Sequence, residues 1–473
     1  MQIMAAANQN RFSACLEAAA KMKAAGLRPD ASIYNALMGL AARSDSWLFS
    51  WAIVDDMMKL GIEPTATTFA HLIYAQRNRP YTNLWNAYDL LNQLGIQLTP
   101  PVYTSIIETY AAESNVEMML RVFFAMKERG LIPELAAAQT LVSTLATTGH
   151  SRLAIEVANY FEEASTRQLE PKVWLECLTS SVDKLYEDGV LTCWPRVVDE
   201  LNVLPPEGVC VGALNTAARA GLPELATDVL RVLKLAEIEW QEYHFAALIE
   251  AFCRNNQLKE ALITLSIMRQ NDIEPLESTT SFIYDIVKQD VDSLDLAWGL
   301  VDEIKESGSG LDIEALKVVL KAAVFLGDLQ RAVGIYKAIP NYNLTPDLAI
   351  FNLLFQGCIT AQHRQLGDLL LADMKAAKIE PNKETFEKLI YLALTQETYE
   401  DAFFYLEEMK AAKHLPPRKI YIALGDKCTE AQDPRADMVW QELRECGYRL
   451  DDPRVRLAAR GVSEKRKTSE FSS

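Results

Sequence analysis

The sequence predicts an all-α solenoid of about 12–13 helix-turn-helix repeats of 35 residues. Two observations predict it. A phrase returns at a fixed distance: Gly26-Leu27-Arg28-Pro29-Asp30, Gly61-Ile62-Glu63-Pro64-Thr65 and Gly130-Leu131-Ile132-Pro133-Glu134, with weaker forms beginning at Asp272, Asn343, Lys378 and His414. After each phrase, apolar residues fall at helical spacing, as in Ile33-Tyr34-Asn35-Ala36-Leu37-Met38 and Thr68-Phe69-Ala70-His71-Leu72-Ile73.

The unit at 31–65 shows why this phrase makes a repeat. Ile33, Tyr34, Leu37 and Met38 give a first helix one apolar face, and Trp51, Ile53, Val54, Met57 and Met58 give a second helix another. Gly61 suits the left-handed position that ends a helix, Ile62 covers that end, and Pro64 stops propagation. The residue after the proline (Asp30, Thr65, Glu134, Asp347 or Asn382) is placed to accept from the free N–H groups that start the next helix.

In this frame, units fall at 31–65, 66–99, 100–134, 207–241, 242–276, 277–312, 313–347, 348–382, 383–417 and 418–452. Residues 1–30 read as a partial repeat, the second helix of a unit. An opening in mid-unit is expected of a piece cut from a longer array. Residues 135–206 run off-register through Glu170-Pro171-Lys172-Val173-Trp174 and Trp194-Pro195, so two distorted helix pairs are expected there. Residues 453–473 lose the pattern and read as a disordered polar tail.

Lys and Arg number 47 against 64 for Asp and Glu, a net charge of −17 that opposes a polyanion at long range. No run reaches the roughly 18 apolar residues of a membrane-spanning helix, so no membrane insertion is expected. The eight cysteines are dispersed and read as reduced, mostly buried thiols. Five histidines without metal-ligand spacing, and no phosphate-cradling glycine motif, give no sign of catalysis, metal, cofactor or small-molecule ligand.

The repeated units resemble the pentatricopeptide repeat (PPR) family, most clearly at 31–65 (Tyr34-Asn35-Ala36-Leu37), 348–382 (Phe351-Asn352-Leu353-Leu354) and 383–417 (Phe386-Glu387-Lys388-Leu389-Ile390). The resemblance implies a right-handed superhelical solenoid in a mitochondrial matrix protein. It also implies single-stranded RNA as the partner, read one base per repeat by the residue after the repeat's Tyr or Phe together with the unit's last residue.

Three pairs suit that role: Asn35 with Thr65, Ser281 with Asp312, and Asn352 with Asn382. Thr104 with Glu134, Val211 with Gln241, Ala246 with Leu276, Lys317 with Asp347, Glu387 with Pro417 and Ile422 with Asp452 do not. Glu314 and Glu384 would stand beside phosphates. The expected function is a non-catalytic organellar RNA-metabolism or translation factor with a degenerate base code. The alternative is a scaffold holding a basic, amphipathic protein segment in its concave groove, such as a respiratory-complex assembly factor or a mitoribosome-associated protein. Acidity and the poor code favour that alternative.

Overall fold

The computed structural model describes residues 12–79, 82–308 and 310–446; the expected tail at 453–473 and Asp452 lie outside them. Among the described residues every regular element is helical. They divide into two compact units, one holding residues up to 220 together with 224–240, the other holding 221–223 and the residues from 241 onward.

In the first unit, helix Phe12–Ala24 precedes the pairs Ala31–Arg43 with Trp47–Lys59, Ala66–Tyr74 with Thr82–Gln93, Pro100–Ala112 with Val116–Glu128, Leu135–Thr147 with Ser151–Ala164, and Pro171–Asp183 with Glu187–Pro195. Glu207–Ala220 and Pro223–Leu235 follow. The second unit runs Glu242–Arg254 with Leu258–Gln270, Glu277–Val287 with Val291–Glu306, Ile313–Phe325 with Leu329–Ala338, Leu348–Thr360 with Arg364–Ala376, Lys383–Leu394 with Glu400–Ala411, and Arg418–Glu430 with Ala436–Glu445.

Within each unit, successive first helices pack against one another, and in the pairs joined above each first helix also packs against its own second helix. A first helix is therefore apolar on several sides. In Ala31–Arg43, Tyr34, Leu37, Met38 and Leu40 are all buried, as are Phe69 and Leu72 on the next first helix; in the second unit, Phe351, Phe355 and Tyr421 are buried on first helices in the same way. Met58, expected on the apolar face of its helix, is 46 % exposed, because Ile53, Val54 and Met57 already fill the contact.

The repeating phrase works as helix punctuation. Gly61 has φ +68°, its N–H bonds the carbonyl of Met58 at 3.1 Å, and the Ile62 N–H bonds that of Met57 at 2.9 Å. Asp272, Asn343, Lys378 and Lys413 hold the same left-handed position without being glycine. Lys378 and Ile379 repeat the two bonds, to Lys375 and Met374, at 3.0 and 3.1 Å. Asp30, Thr65, Asp347 and Asn382 each accept from the N–H three residues on. Glu134 is the exception: its longer side chain makes no cap and instead accepts from Thr104 at 3.2 Å.

The stretch 135–206 forms two helix pairs whose connection is built differently. Pro171 opens helix Pro171–Asp183, where its missing N–H costs nothing. Pro195 sits inside the second helix of the same pair, and the chain continues as a π-helical turn, Arg196–Glu200. That turn aims Arg196 at Glu162, whose side chain is 14 % exposed. The Leu169 N–H and the Trp174 indole N–H also donate to Glu162, at 3.0 and 3.1 Å. One carboxylate thus ties four chain segments together.

Candidate functional site

The residue after each repeat's aromatic sits one helical turn into a first helix, and the unit's last residue caps the following first helix. Stacking of first helices brings the two positions together across the repeat boundary. Asn35 Nδ2 donates to Thr65 Oγ at 3.1 Å, and the Thr68 hydroxyl donates to Asn35 Oδ1 at 2.6 Å. Thr65 is exposed and Asn35 half-buried, so this network opens to solvent on one side.

At the second site, Thr385 Oγ lies 2.8 Å from Asn352 Oδ1 and 2.9 Å from Asn382 Oδ1. Asn352 Nδ2 reaches Glu384 at 3.4 Å, and Lys388 Nζ donates to the Asn352 carbonyl at 3.0 Å. Asn352 is only 4 % exposed, and its polar atoms are committed to the next repeat.

Ser281 and Asp312 make no hydrogen bond to each other. Ser281 donates back to the Ser278 carbonyl at 2.6 Å, while Asp312, 6 % exposed, accepts from the Glu314 N–H at 2.9 Å and from Arg269 Nε at 3.0 Å. Two pairs unsuited to base reading are also joined: Thr104 to Glu134, and Lys317 to Asp347 at 2.5 Å. Joining the fifth and last residues is thus a way of fastening repeats that pairs unsuited to base reading share.

Reading pairs of positions alone missed the third residue of the following unit. Thr68 and Thr385 serve as bridge and cap partner, and Thr279, at the same register, bonds Glu242 of the unit before it and receives the Leu276 N–H at 3.1 Å. Their recurrence at the third position was visible in the sequence. The bridge itself depends on stacking.

Charge is scarce on four first helices of the first unit. The first helices Ala31–Arg43, Ala66–Tyr74, Pro100–Ala112 and Leu135–Thr147 carry Arg43 and Glu108 as their only Lys, Arg, Asp or Glu residues. Burial raises the pKa of Glu108, with Arg77 opposing the shift and Glu134 adding to it. Burial, helped by Arg43, lowers that of His71, which favours its neutral form. Arg77 reaches the same end of the stack and donates to the Ala42 carbonyl at 2.8 Å. Half-buried amides and hydroxyls, among them Asn35, Gln139 and Ser143, border the remaining side of this row.

Among the described residues no His, Cys, Asp and Glu group could hold a metal ion, and no helix is long and apolar enough to cross a membrane. All eight cysteines are free and seven are buried; burial pushes the Cys193 thiol up to about 12.

Stacked helix pairs of about 35 residues, joined at their fifth, last and third positions, define a helical-repeat binding protein. The chain is similar to the pentatricopeptide repeat family: the family model described as "Pentatricopeptide repeat-containing protein" matches residues 81–154 and 207–339. Among its relatives are the mitochondrial 15S rRNA processing factor CCM1 of Debaryomyces hansenii, 21 % identical over 226 residues covering 47 % of this chain and 28 % of that protein, and the mitochondrial pentatricopeptide repeat-containing protein 1 of Homo sapiens, 27 % identical with 31 % and 20 % covered. The small ribosomal subunit protein mS81 of Arabidopsis thaliana is 21 % identical, with 58 % and 36 % covered. The chain therefore spans about a third or less of the length of these relatives. The crystal structure of PPR10 from maize aligns with 94 % of this chain and 68 % of its own, at 13 % identity and a TM-score of 0.36.

Proposed function

We propose that this chain is a non-catalytic mitochondrial RNA-metabolism factor that holds single-stranded RNA along its row of first helices. The observation that carries this reading is the near-neutral face of the first helices between 31 and 147, with Arg43 and Arg77 at one end. The net charge of −17 is a property of the whole chain, and this row contributes almost nothing to it. A bound strand would meet hydroxyls and amides rather than a wall of carboxylates. Relatives named as mitochondrial 15S rRNA processing factors support both the compartment and the ligand class.

Within this reading, Asn35 with Thr65 is the base-contacting pair, since it is open to solvent, whereas Asn352, Asp312 and Asn382 act chiefly as repeat fasteners. The test is fluorescence anisotropy with labelled single-stranded mitochondrial ribosomal RNA fragments over a range of salt. Binding that falls with salt and weakens on Arg43→Ala and Arg77→Ala is expected. Absence of binding at low salt overturns the proposal.

A further inference from the structure

The second helices of the last three described repeats, Arg364–Ala376, Glu400–Ala411 and Ala436–Glu445, present an outer face that the RNA reading does not use. On it Leu369, Phe404 and Met438 are 64 %, 57 % and 59 % exposed. They stand 35 and 34 residues apart, at matching register on neighbouring helices, so they form one apolar row across the stack. Exposed large apolar residues are unremarkable singly but informative when aligned.

The charges around this row are mostly negative. The three helices carry nine carboxylates against four cations. The cations are drawn into bonds between helices or stand at helix ends. Arg364 pairs with Asp368 at 2.9 Å and with Asp401 of the next second helix at 3.2 Å. Lys410 pairs with Glu407 at 2.8 Å and with Glu442 of the following one. Arg435, just before the last helix, pairs with Glu400 and Asp433, both at 2.6 Å. Lys375 and Arg444 lie in the last turns. Among the described residues, Glu408 and Asp437 have no cationic partner, and they flank the row at Phe404 and Met438.

We propose that this ridge docks a basic amphipathic α-helix of a protein partner, its apolar stripe seated on Leu369, Phe404 and Met438 and its lysines or arginines facing Glu408, Asp437 and the neighbouring carboxylates. Charge complementarity selects this occupant. An acidic or neutral apolar segment would leave the carboxylates desolvated and unpaired, whereas a basic one pairs them. Three helices about 10 Å apart make a row of roughly 20 Å, which an α-helix covers in about 14 residues. The proposed RNA face lies on first helices between 31 and 147, so the two ligands use different residues.

The experiment titrates the whole chain into a fluorescein-labelled 18-residue peptide with leucines at helical spacing and lysines elsewhere, beside a scrambled peptide of the same composition. The amphipathic peptide should bind, the scrambled one about tenfold more weakly. Phe404→Ser with Met438→Ser should weaken the amphipathic peptide by about tenfold, as expected from the loss of buried apolar area. Leu48→Ser, at an exposed position of the other unit, should leave binding unchanged, and all variants should keep their RNA binding and circular dichroism. Should the double serine variant lose its helicity, the charge reversals Glu408→Lys and Asp437→Lys at exposed positions take its place, with the same loss expected. Equal binding of the two peptides, unchanged binding by the ridge variants, or self-association of the chain that those variants abolish would each overturn the proposal.

Discussion

The hydroxyl of Thr385 donates across 2.8 Å to the side-chain carbonyl of Asn352, fastening the third residue of one repeat to the fifth residue of the repeat before it. Thr385 is wholly buried and Asn352 nearly so. Thr385→Val keeps the shape but strips an acceptor from the Asn382 N–H and a donor from Asn352. The loss should be about 1–3 kcal/mol, the cost of leaving buried polar groups unsatisfied. Thr385→Ser should retain most of the stability. Urea unfolding checks this, and a valine variant as stable as the parent would show that the network contributes nothing.

His71 predicts a pH dependence. Its ring packs so closely on Gly39 that a Cβ there would stand 3.2 Å from Nε2. Burial, then Arg43, holds its pKa below the ordinary value. In the unfolded chain the imidazole takes up its proton near pH 6.5 or about that value; in the fold it does so only at lower pH. Below about pH 6.5 the unfolded state thus binds more protons, so this part of the stability is complete above that pH and is lost as pH falls toward the folded value. Urea midpoints at pH values either side of this window should differ, and His71→Gln should flatten the difference. An unchanged slope in the variant rejects the assignment.

Gly425 lies in helix Arg418–Glu430, where alanine would favour the helix by about 1 kcal/mol. A Cβ at that position, however, would fall 2.4 Å from Cζ2 of Trp440, which is 3 % exposed. Overpacking of this kind costs about 1–3 kcal/mol, so Gly425→Ala should destabilise despite its better propensity. Trp440 emission and the thermal midpoint together report it. A stabilised variant would mean that Trp440 moves aside freely.

How much of this was legible beforehand depends on the range of the interaction. The helix ends were written locally: Gly61, Pro64 and Asp30 act within a few residues of themselves, and the structure uses them as their chemistry implies. The all-α repeat class followed from the same local signals. The bridges through Thr68 and Thr385 span 33 residues and depend on how first helices stack, so two of the three pairs expected to read bases are bonded across repeats. The charge balance is limited for the same reason. A total of −17 says nothing of which helices bear it: the first helices between 31 and 147 carry one Arg and one Glu, whereas the second helices around Phe404 are acidic. The off-register stretch was visible as a break in the phrase, but its repair by Glu162 joins residues up to 34 apart.

Glu162 offers the sharpest test of that repair. Its carboxylate accepts from Leu169 N–H and Trp174 Nε1 and pairs with Arg196, whose guanidinium lies 5.5 Å from the Trp174 ring centroid. Glu162→Gln keeps an oxygen for the two N–H donors but removes the charge from a largely covered Arg196, and should cost about 1–2 kcal/mol; Glu162→Ala removes every acceptor and should cost about 2–4 kcal/mol. Because the two residues touch, their effects should not add: the Glu162→Ala, Arg196→Ala double variant should be less destabilised than the sum of the singles by about 1 kcal/mol or more. Trp174 fluorescence follows the transition at the site itself. Additive losses would mean that Arg196 and Glu162 are neighbours without mutual stabilisation, and the π-helical turn that brings them together would need another explanation.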